Sequence, residues 1–212
     1  MSMKVVQMRV GALATFAYIV ADQAQGVCAL IDPAFETARI LDAVSSMGLR
    51  VTHVINTHGH SDHTAGNAAV IRATHAMLCI HEKDLGKLHG IVTRAASRVL
   101  GGAGSPKPDV LLKDGDSITT GGIDLQVIHT PGHTPGGICL YAKGNLFTGD
   151  SLFVASVGRT DLPGGSIRQL IKAIKERLYR LDDSTIVWPG HDYGPTPSST
   201  IGREKAANPF TL

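Results

Sequence analysis

The sequence predicts an α/β fold in which two β-sheets lie face to face and helices cover their outer surfaces. Strand patterns occur in two groups along the chain, and a helix pattern follows each group. The 212 residues are 43% hydrophobic and 18% charged, so the chain can bury a sizeable core. We therefore expect residues 1–212 to form a single domain.

The first group of strands opens the chain as short apolar runs rich in β-branched residues and separated by Gly, Asp and Gln. The runs are Lys4 to Val10, Thr15 to Ala21 and Gly26 to Ile31. This pattern is typical of antiparallel strands. From Glu36 to Met47 apolar residues recur at helical spacing, and Gly48 stands where a helix end favours a left-handed residue. The run Val51 to Asn56 then predicts a buried strand.

The second group consists of five further short apolar runs, each ending near turn residues. They are Val110 to Leu112, Ser117 to Thr119, Ile123 to His129, Ile138 to Tyr141 and Leu146 to Thr148.

Ser166 is a candidate N-cap for a helix with one apolar stripe. The stripe contains Ile167, Leu170, Ile171, Ile174, Leu178 and Leu181. Thr185 to Trp188 predicts a last strand. The Gly- and Pro-rich segment 91–108 indicates a flexible insertion, either a surface loop or a lid.

Charge and cysteine content exclude several classes of protein. A net charge of +2 without a basic run argues against a nucleic-acid partner. Cys28, Cys79 and Cys139 lie far apart and form no CxxC pair, which favours reduced, buried thiols. Val10 to Ala21 resembles a signal-peptide core but lacks a cleavage site, so we interpret it as a strand. No run reaches the roughly 18 apolar residues of a membrane span, and we expect a cytoplasmic enzyme without a membrane partner.

Four possible metal donors follow the strand Val51 to Asn56 within six residues. They are His58, His60, Asp62 and His63. Imidazole and carboxylate groups are the donors that zinc, iron and manganese accept in proteins. A surface loop has no structural reason to hold three imidazoles and a carboxylate so close together, so the H-x-H-x-D-H spacing predicts a metal site.

Three further donors each follow a strand and a glycine-containing turn: His133, Asp150 and His191. Seven donors exceed the three or four protein ligands of a single metal, and they divide between two metals if Asp150 bridges. Two divalent ions, with zinc expected and iron or manganese as alternatives, would lower the pKa of a shared water toward about 7. The resulting hydroxide would itself be the nucleophile, so the reaction would need no Ser or Cys side chain for that task. The catalytic candidates are the carboxylates Asp62 and Asp150.

The motifs resemble the metallo-β-lactamase superfamily and, within it, the glyoxalase II-like or hydroxyacylglutathione hydrolase branch. The resemblance covers nearly the whole chain and rests on four segments in order: Thr57 to Asn67, His129 to Gly136, Leu146 to Phe153 and Pro189 to Tyr193. It implies an αββα sandwich of two mixed sheets with the metals at one edge. It also implies the ligand sets: His58, His60 and His133 for one metal, Asp62, His63 and His191 for the other, with Asp150 shared. The implied reaction is attack of the bridging hydroxide on a thioester carbonyl.

The resemblance also implies a small-molecule thioester partner, for which a glutathione derivative is a candidate. A basic residue shortly after the bridging Asp and a tyrosine after the last His bind glutathione in that branch, and Arg159 and Tyr193 match these positions. Two features depart from the pattern. The larger members have a C-terminal helical domain for which this chain leaves no room, and Asp161 replaces a second tyrosine.

A rival function is that of a persulfide dioxygenase with one iron, which the segments Gly158 to Asp161 and His191 to Tyr193 also resemble. In that case only His58, His133 and Asp150 would bind metal, leaving open positions suited to oxygen chemistry. The chain departs from this subfamily at Leu162 to Gly165. A lactonase or other ester hydrolase, a metal-binding protein without turnover and, least of all, a nuclease are further alternatives. The sequence leaves open whether the protein is a monomer or a homodimer.

Overall fold

The structure is a computed structural model that describes residues 3–88, 90, 95, 99, 102 and 104–212. The predicted insertion 91–108 falls largely outside the described residues. Among these residues, none of the helices has the length and apolar character that a bilayer crossing needs.

The first sheet contains six strands whose order in the sheet follows the chain. They are β1 (Met3–Val10), β2 (Thr15–Asp22), β3 (Val27–Ile31), β4 (Arg50–Ile55), β5 (Met77–His81) and β6 (Val110–Leu112). Strands β1 to β3 pair antiparallel, as predicted, and β3 to β6 pair parallel. The carboxyl ends of β3, β4 and β5 therefore lie side by side at one edge of the sheet.

The second sheet also has six strands, in the order β14-β13-β10-β9-β8-β7. Their bounds are β7 (Ser117–Thr120), β8 (Ile123–His129), β9 (Ile138–Ala142), β10 (Asn145–Gly149), β13 (Ile186–Pro189) and β14 (Ser199–Thr200). Strands β10 and β13 are parallel, whereas the other neighbours are antiparallel. A two-stranded hairpin, β11 (Leu152–Phe153) and β12 (Ser156–Val157), stands apart from both sheets.

Helices cover the outer face of each sheet. They are α1 (Thr37–Ser46), α2 (Ser61–Thr64), α3 (Asn67–Thr74), α4 (Leu85–Leu88), α5 (Ile167–Arg177) and α6 (Ile201–Ala207). One apolar cluster lies between the two sheets, a second joins α1 and α3 to the first sheet, and a third joins α5 to the second sheet. The structure thus confirms the predicted sandwich of two mixed sheets flanked by helices.

Several local predictions are confirmed. The Ser166 hydroxyl accepts a hydrogen bond from Gln169 N at the start of α5, and Gly48 has a left-handed φ of 66° after α1. The three cysteines are buried free thiols, and burial raises their pKa values to about 11 for Cys28, about 12 for Cys79 and about 11 for Cys139.

Other local predictions are wrong. The apolar stripe of α5 does not include Ile167, which is 50% exposed because it lies in the first turn, before the residues that pack on the sheet. The α-helix also ends at Arg177, and a 3₁₀ turn continues the chain through Leu178–Arg180. The run Val110 to Leu112, grouped from the sequence with the second set of strands, is β6 of the first sheet, where it pairs with β5. The sequence patterns did not predict β5, the short strands β11, β12 and β14, or the helices α2, α3, α4 and α6.

The core between the sheets yields a prediction about stability. Phe147 is fully buried there, with its ring centroid 5.2 Å from that of Tyr18, whereas Phe210 is 55% exposed. We expect Phe147→Ala to lower the free energy of unfolding by about 3–5 kcal/mol, because it removes a large buried ring and leaves a cavity. Phe210→Ala should change it by less than about 0.5 kcal/mol. Urea denaturation measures both, and equal losses would contradict this account of the core.

Candidate metal centre

The seven donor side chains named from the sequence meet at one edge of the two sheets. Residues 56–63 follow β4 and carry the first four donors, the last two of them on α2. His133 lies between β8 and β9, Asp150 follows β10, and His191 follows β13. Loops from both sheets therefore contribute to the cluster.

His58, His60 and His133 form what we call the first donor group. His133 Nε2 lies 3.2 Å from His58 Nε2 and 2.9 Å from His60 Nδ1. Each residue offers one nitrogen, and the three nitrogens lie within 4.8 Å of one another. Metal–nitrogen bonds of about 2.0–2.1 Å at tetrahedral angles separate ligand atoms by about 3.3 Å. The spacing of this group therefore fits a metal ion.

Asp62, His63 and His191 form the second donor group. His63 Nε2 lies 3.1 Å from His191 Nε2, which in turn lies 3.5 Å from Asp62 Oδ2. These three ligand atoms also lie within 4.8 Å of one another. The second group therefore has a metal-compatible spacing as well.

Asp150 lies between the two groups. Its Oδ1 is 3.3 Å from His63 Nε2, and its Oδ2 is 3.5 Å from both His133 Nε2 and His191 Nε2. Oδ1 is buried and has no hydrogen-bond partner among the described residues. An unpartnered buried carboxylate oxygen is costly, and a cation would satisfy it. Asp150 therefore has the position that a shared ligand requires.

The two groups differ in their electrostatics. Burial, together with neighbouring imidazoles, holds the pKa of His58 well below its usual range and lowers the pKa of His60 to about 4. Burial alone would also lower the pKa values of His63 and His191. The carboxylate of Asp150 outweighs burial together with Asp32 at His63 and together with Asp62 at His191, raising the pKa of His63 well above its usual range and that of His191 to about 9. His58 and His60 of the first group are thus neutral imidazoles, whereas the second group is dominated by carboxylate charge, which favours cations.

Backbone carbonyls orient two of the histidines. His133 Nδ1 donates to the carbonyl of Arg159 at 2.7 Å, and His191 Nδ1 donates to the carbonyl of Leu13 at 2.9 Å. With Nδ1 protonated, the Nε2 lone pair of each ring is directed at the cluster.

Asp32 orients a third histidine and is a site residue that the sequence patterns missed. This buried carboxylate accepts hydrogen bonds from Thr57 N at 2.8 Å and Thr57 Oγ1 at 2.6 Å, and it pairs with His63 Nδ1 at 2.8 Å. Asp32 directly follows β3, as the histidine loop follows β4. This shared position after a buried strand is the signal that could have identified it.

A cleft of about 500 Å³ opens above the donors. Its wall includes Leu13, Phe153, Val157, Arg159, Leu162 and Tyr193. The structure thus places both predicted substrate-binding residues in the cleft. The Tyr193 ring stacks on the His191 ring at a centroid distance of 4.6 Å and is largely exposed.

The Arg159 guanidinium is engaged by a neighbour. Its Nε donates to Asp161 Oδ1 at 2.7 Å and its Nη2 to Asp161 Oδ2 at 2.6 Å. Both side chains are exposed, and the bidentate contact lowers the pKa of Asp161 to about 2. A substrate carboxylate would have to compete with Asp161 for this cation.

Comparisons with known proteins agree with the geometry. A family model described as the metallo-beta-lactamase superfamily matches residues 10–191. A hydroxyacylglutathione hydrolase of Polaromonas sp. (strain JS666) is 38% identical over 182 residues, which are 84% of this chain and 62% of that protein. The mitochondrial persulfide dioxygenase ETHE1 of Homo sapiens is 31% identical over 198 residues, which are 92% of this chain and 70% of that protein.

Solved structures show the same fold. The BLEG-1 B3 metallo-beta-lactamase superposes with a TM-score of 0.89 at 31% identity, covering 99% of this chain and 100% of that one. TTHA1623 in a di-iron-bound form gives a TM-score of 0.82 at 34% identity, covering 97% of this chain and 99% of that one. These matches confirm the resemblance drawn from the motifs.

The turn before Asp150 yields a prediction about the cluster. Gly149 and Gly144 both have positive φ angles, 47° and 75°, but only Gly149 is crowded: a β-carbon there would lie 2.6 Å from Thr57 Cβ. We expect Gly144→Ala to cost about 1 kcal/mol of stability, from left-handed strain alone. Gly149→Ala should cost about 1–3 kcal/mol more, because Thr57 must move. Equal losses in urea denaturation would contradict this close packing.

Proposed function

Since the chain belongs to the metallo-β-lactamase superfamily, we propose that it is a metal-dependent hydrolase that cleaves a thioester such as S-D-lactoylglutathione. The observation that carries the proposal is the pair of donor groups joined by Asp150 at the floor of a cleft. The 38% sequence identity to a hydroxyacylglutathione hydrolase supports the choice of a thioester substrate.

In this proposal His58, His60 and His133 would hold one metal ion, Asp62, His63 and His191 would hold the other, and Asp150 would be a ligand available to both. Two bound divalent ions would activate a water molecule as nucleophile at neutral pH and would polarise the thioester carbonyl as Lewis acids. We expect zinc, with iron or manganese as alternatives. No serine or cysteine nucleophile is then required.

The chain's own residues have separate tasks in this reaction. The carboxylates of Asp62 and Asp150 line the cleft floor, where they can accept hydrogen bonds from the attacking water and orient it. Tyr193 can donate a hydrogen bond from its phenol to the substrate, and Arg159 can pair with a carboxylate of a glutathione-like leaving group. Leu13, Phe153 and Leu162 give the rest of the cleft an apolar wall.

We further propose that residues 1–212 form one domain and that the protein is cytoplasmic. Three buried thiols without a disulfide partner support a reducing compartment.

A persulfide dioxygenase is the second candidate, and one observation favours it. His133 Nε2 lies 3.2 Å from His58 Nε2 and 3.5 Å from Asp150 Oδ2, so the three donors of a mononuclear iron site are also close together. The human relative at 31% identity has this activity in its name. We favour the hydrolase because four more donors converge on the same cluster: His60, Asp62, His63 and His191.

Metal content and two assays test the proposal. We expect two metal ions per chain, hydrolysis of S-D-lactoylglutathione and no oxygen uptake with glutathione persulfide. Asp150→Asn should lower hydrolysis at least about a hundredfold, because it removes charge from the shared position. One iron per chain with oxygen consumption and without thioester cleavage would replace the first candidate by the second.

The Arg159 contact yields a prediction about substrate affinity. Arg159→Met should raise KM for S-D-lactoylglutathione about fivefold, since an exposed ion pair contributes up to about 1 kcal/mol. Asp161→Asn should lower KM by a similar factor because it frees the guanidinium. Neither variant should change KM for a thioester that lacks carboxylates. The same change in KM for both kinds of substrate would argue against Arg159 as a carboxylate-binding residue.

A further inference from the structure

Asp84 is a buried carboxylate in the turn after β5 that has no place in the reaction proposed above. Its Oδ2 accepts hydrogen bonds from Gly59 N at 2.8 Å and Thr134 Oγ1 at 2.7 Å, and its Oδ1 accepts one from Gly136 N at 2.7 Å. These donors come from two separate loops, one after β4 and one between β8 and β9. Asp84 therefore joins a loop of the first sheet to a loop of the second.

The two loops that Asp84 joins are those that carry the first donor group. Gly59 lies between His58 and His60, and Thr134 follows His133. Both loops pack tightly on the turn: a β-carbon at Gly136 would lie 2.6 Å from Asp84 N, and one at Gly59 would lie 3.1 Å from Asp84 O. This close approach leaves the carboxylate little freedom to move.

Asp32 provides a contrast on the other side of the histidine loop. Because β3, β4 and β5 are adjacent parallel strands, Asp32, the histidine loop and Asp84 follow one another along the same sheet edge. Asp32 contacts His63 of the second donor group directly and also accepts hydrogen bonds from Thr57, the residue before His58. The Asp84 carboxylate contacts no donor ring among the described residues and accepts its hydrogen bonds from Gly59, Thr134 and Gly136, in the loops of the first-group histidines.

We propose that Asp84 is a positioning residue for the first donor group, fixing the His58–His60 loop against the His133 loop and so setting the affinity of that group for its metal. The inference rests on the proposed metal centre. It assigns to Asp84 no contact with substrate, water or metal.

Asp84→Asn tests the assignment without relying on activity. Asparagine keeps one acceptor oxygen, so its amide must face at least one of the three donors, and the two loops lose their common anchor. We expect chelator competition on the apoprotein to show one zinc equivalent bound about 10–100-fold more weakly, as for other residues that orient metal ligands, and the other within about threefold of wild type.

Asp22→Asn is the matched control. Asp22 is also a buried carboxylate, and it accepts hydrogen bonds from Gly122 N at 2.8 Å and Ala24 N at 3.1 Å at the opposite end of β2 from the metal centre. This variant should lose stability in urea denaturation yet bind both zinc equivalents as wild type does. Equal weakening of zinc binding in both variants would overturn the inference, because it would reduce the effect to general destabilisation.

Thr134→Val keeps the test decisive if Asp84→Asn does not fold. It removes one donor to Asp84 at nearly constant volume, and we expect about a three- to tenfold loss of affinity at one equivalent. Normal zinc binding by Thr134→Val or by a folded Asp84→Asn overturns the role of Asp84 but leaves the proposed metal centre standing. A wild-type apoprotein that takes up no zinc overturns the proposed metal centre and the inference with it.

Discussion

The burial of a dense set of imidazoles and carboxylates is the constraint on which the rest of this structure depends. His58, His63 and His191 are almost fully buried, and Asp150 lies among them. Polar groups can be buried only with partners, and buried charges only when they are paired. Hydrogen bonds around the site supply these partners. Asp32 accepts from Thr57 N and pairs with the His63 ring, and the rings of His133 and His191 each donate to a backbone carbonyl.

The topology explains how so many loops reach one point. Parallel strands end at the same edge of a sheet, so β3, β4 and β5 deliver Asp32, the histidine loop and Asp84 in succession. In the second sheet β10 and β13 are also parallel, which brings Asp150 and His191 together. A hydrogen bond links the two sheets near this point. Tyr18 Oη, on β2 of the first sheet, donates to the carbonyl of Pro189 at 2.5 Å, at the end of β13 in the second sheet and just before the loop of His191.

Sequence patterns predicted those parts of the fold and site that repeat or cluster. Strands β1 to β3 alternate with clear turn residues, and the histidine loop concentrates its donors within six residues. The run Met77–His81 was missed because it is short and follows a helix, α3, that begins inside the polar motif region. Without β5, nothing distinguished Asp84 from the many aspartates that stabilise turns. Asp32 was missed although the strand before it was predicted, because its partners Thr57 and His63 are distant in sequence.

The pairing of Arg159 with Asp161 was equally hidden, because a pattern of residue types does not show which of two exposed partners a cation contacts.

The structure also shows a connection between the cleft and the donor cluster that the sequence does not reveal. Arg159 lines the cleft with its side chain and orients His133 with its carbonyl, and Leu13 does the same for His191. Tyr193, at the cleft wall, stacks on the His191 ring. Cleft and donor cluster are thus built in part from the same residues, because Arg159 and Leu13 line the cleft and each bonds one histidine, from a different donor group, through its backbone carbonyl.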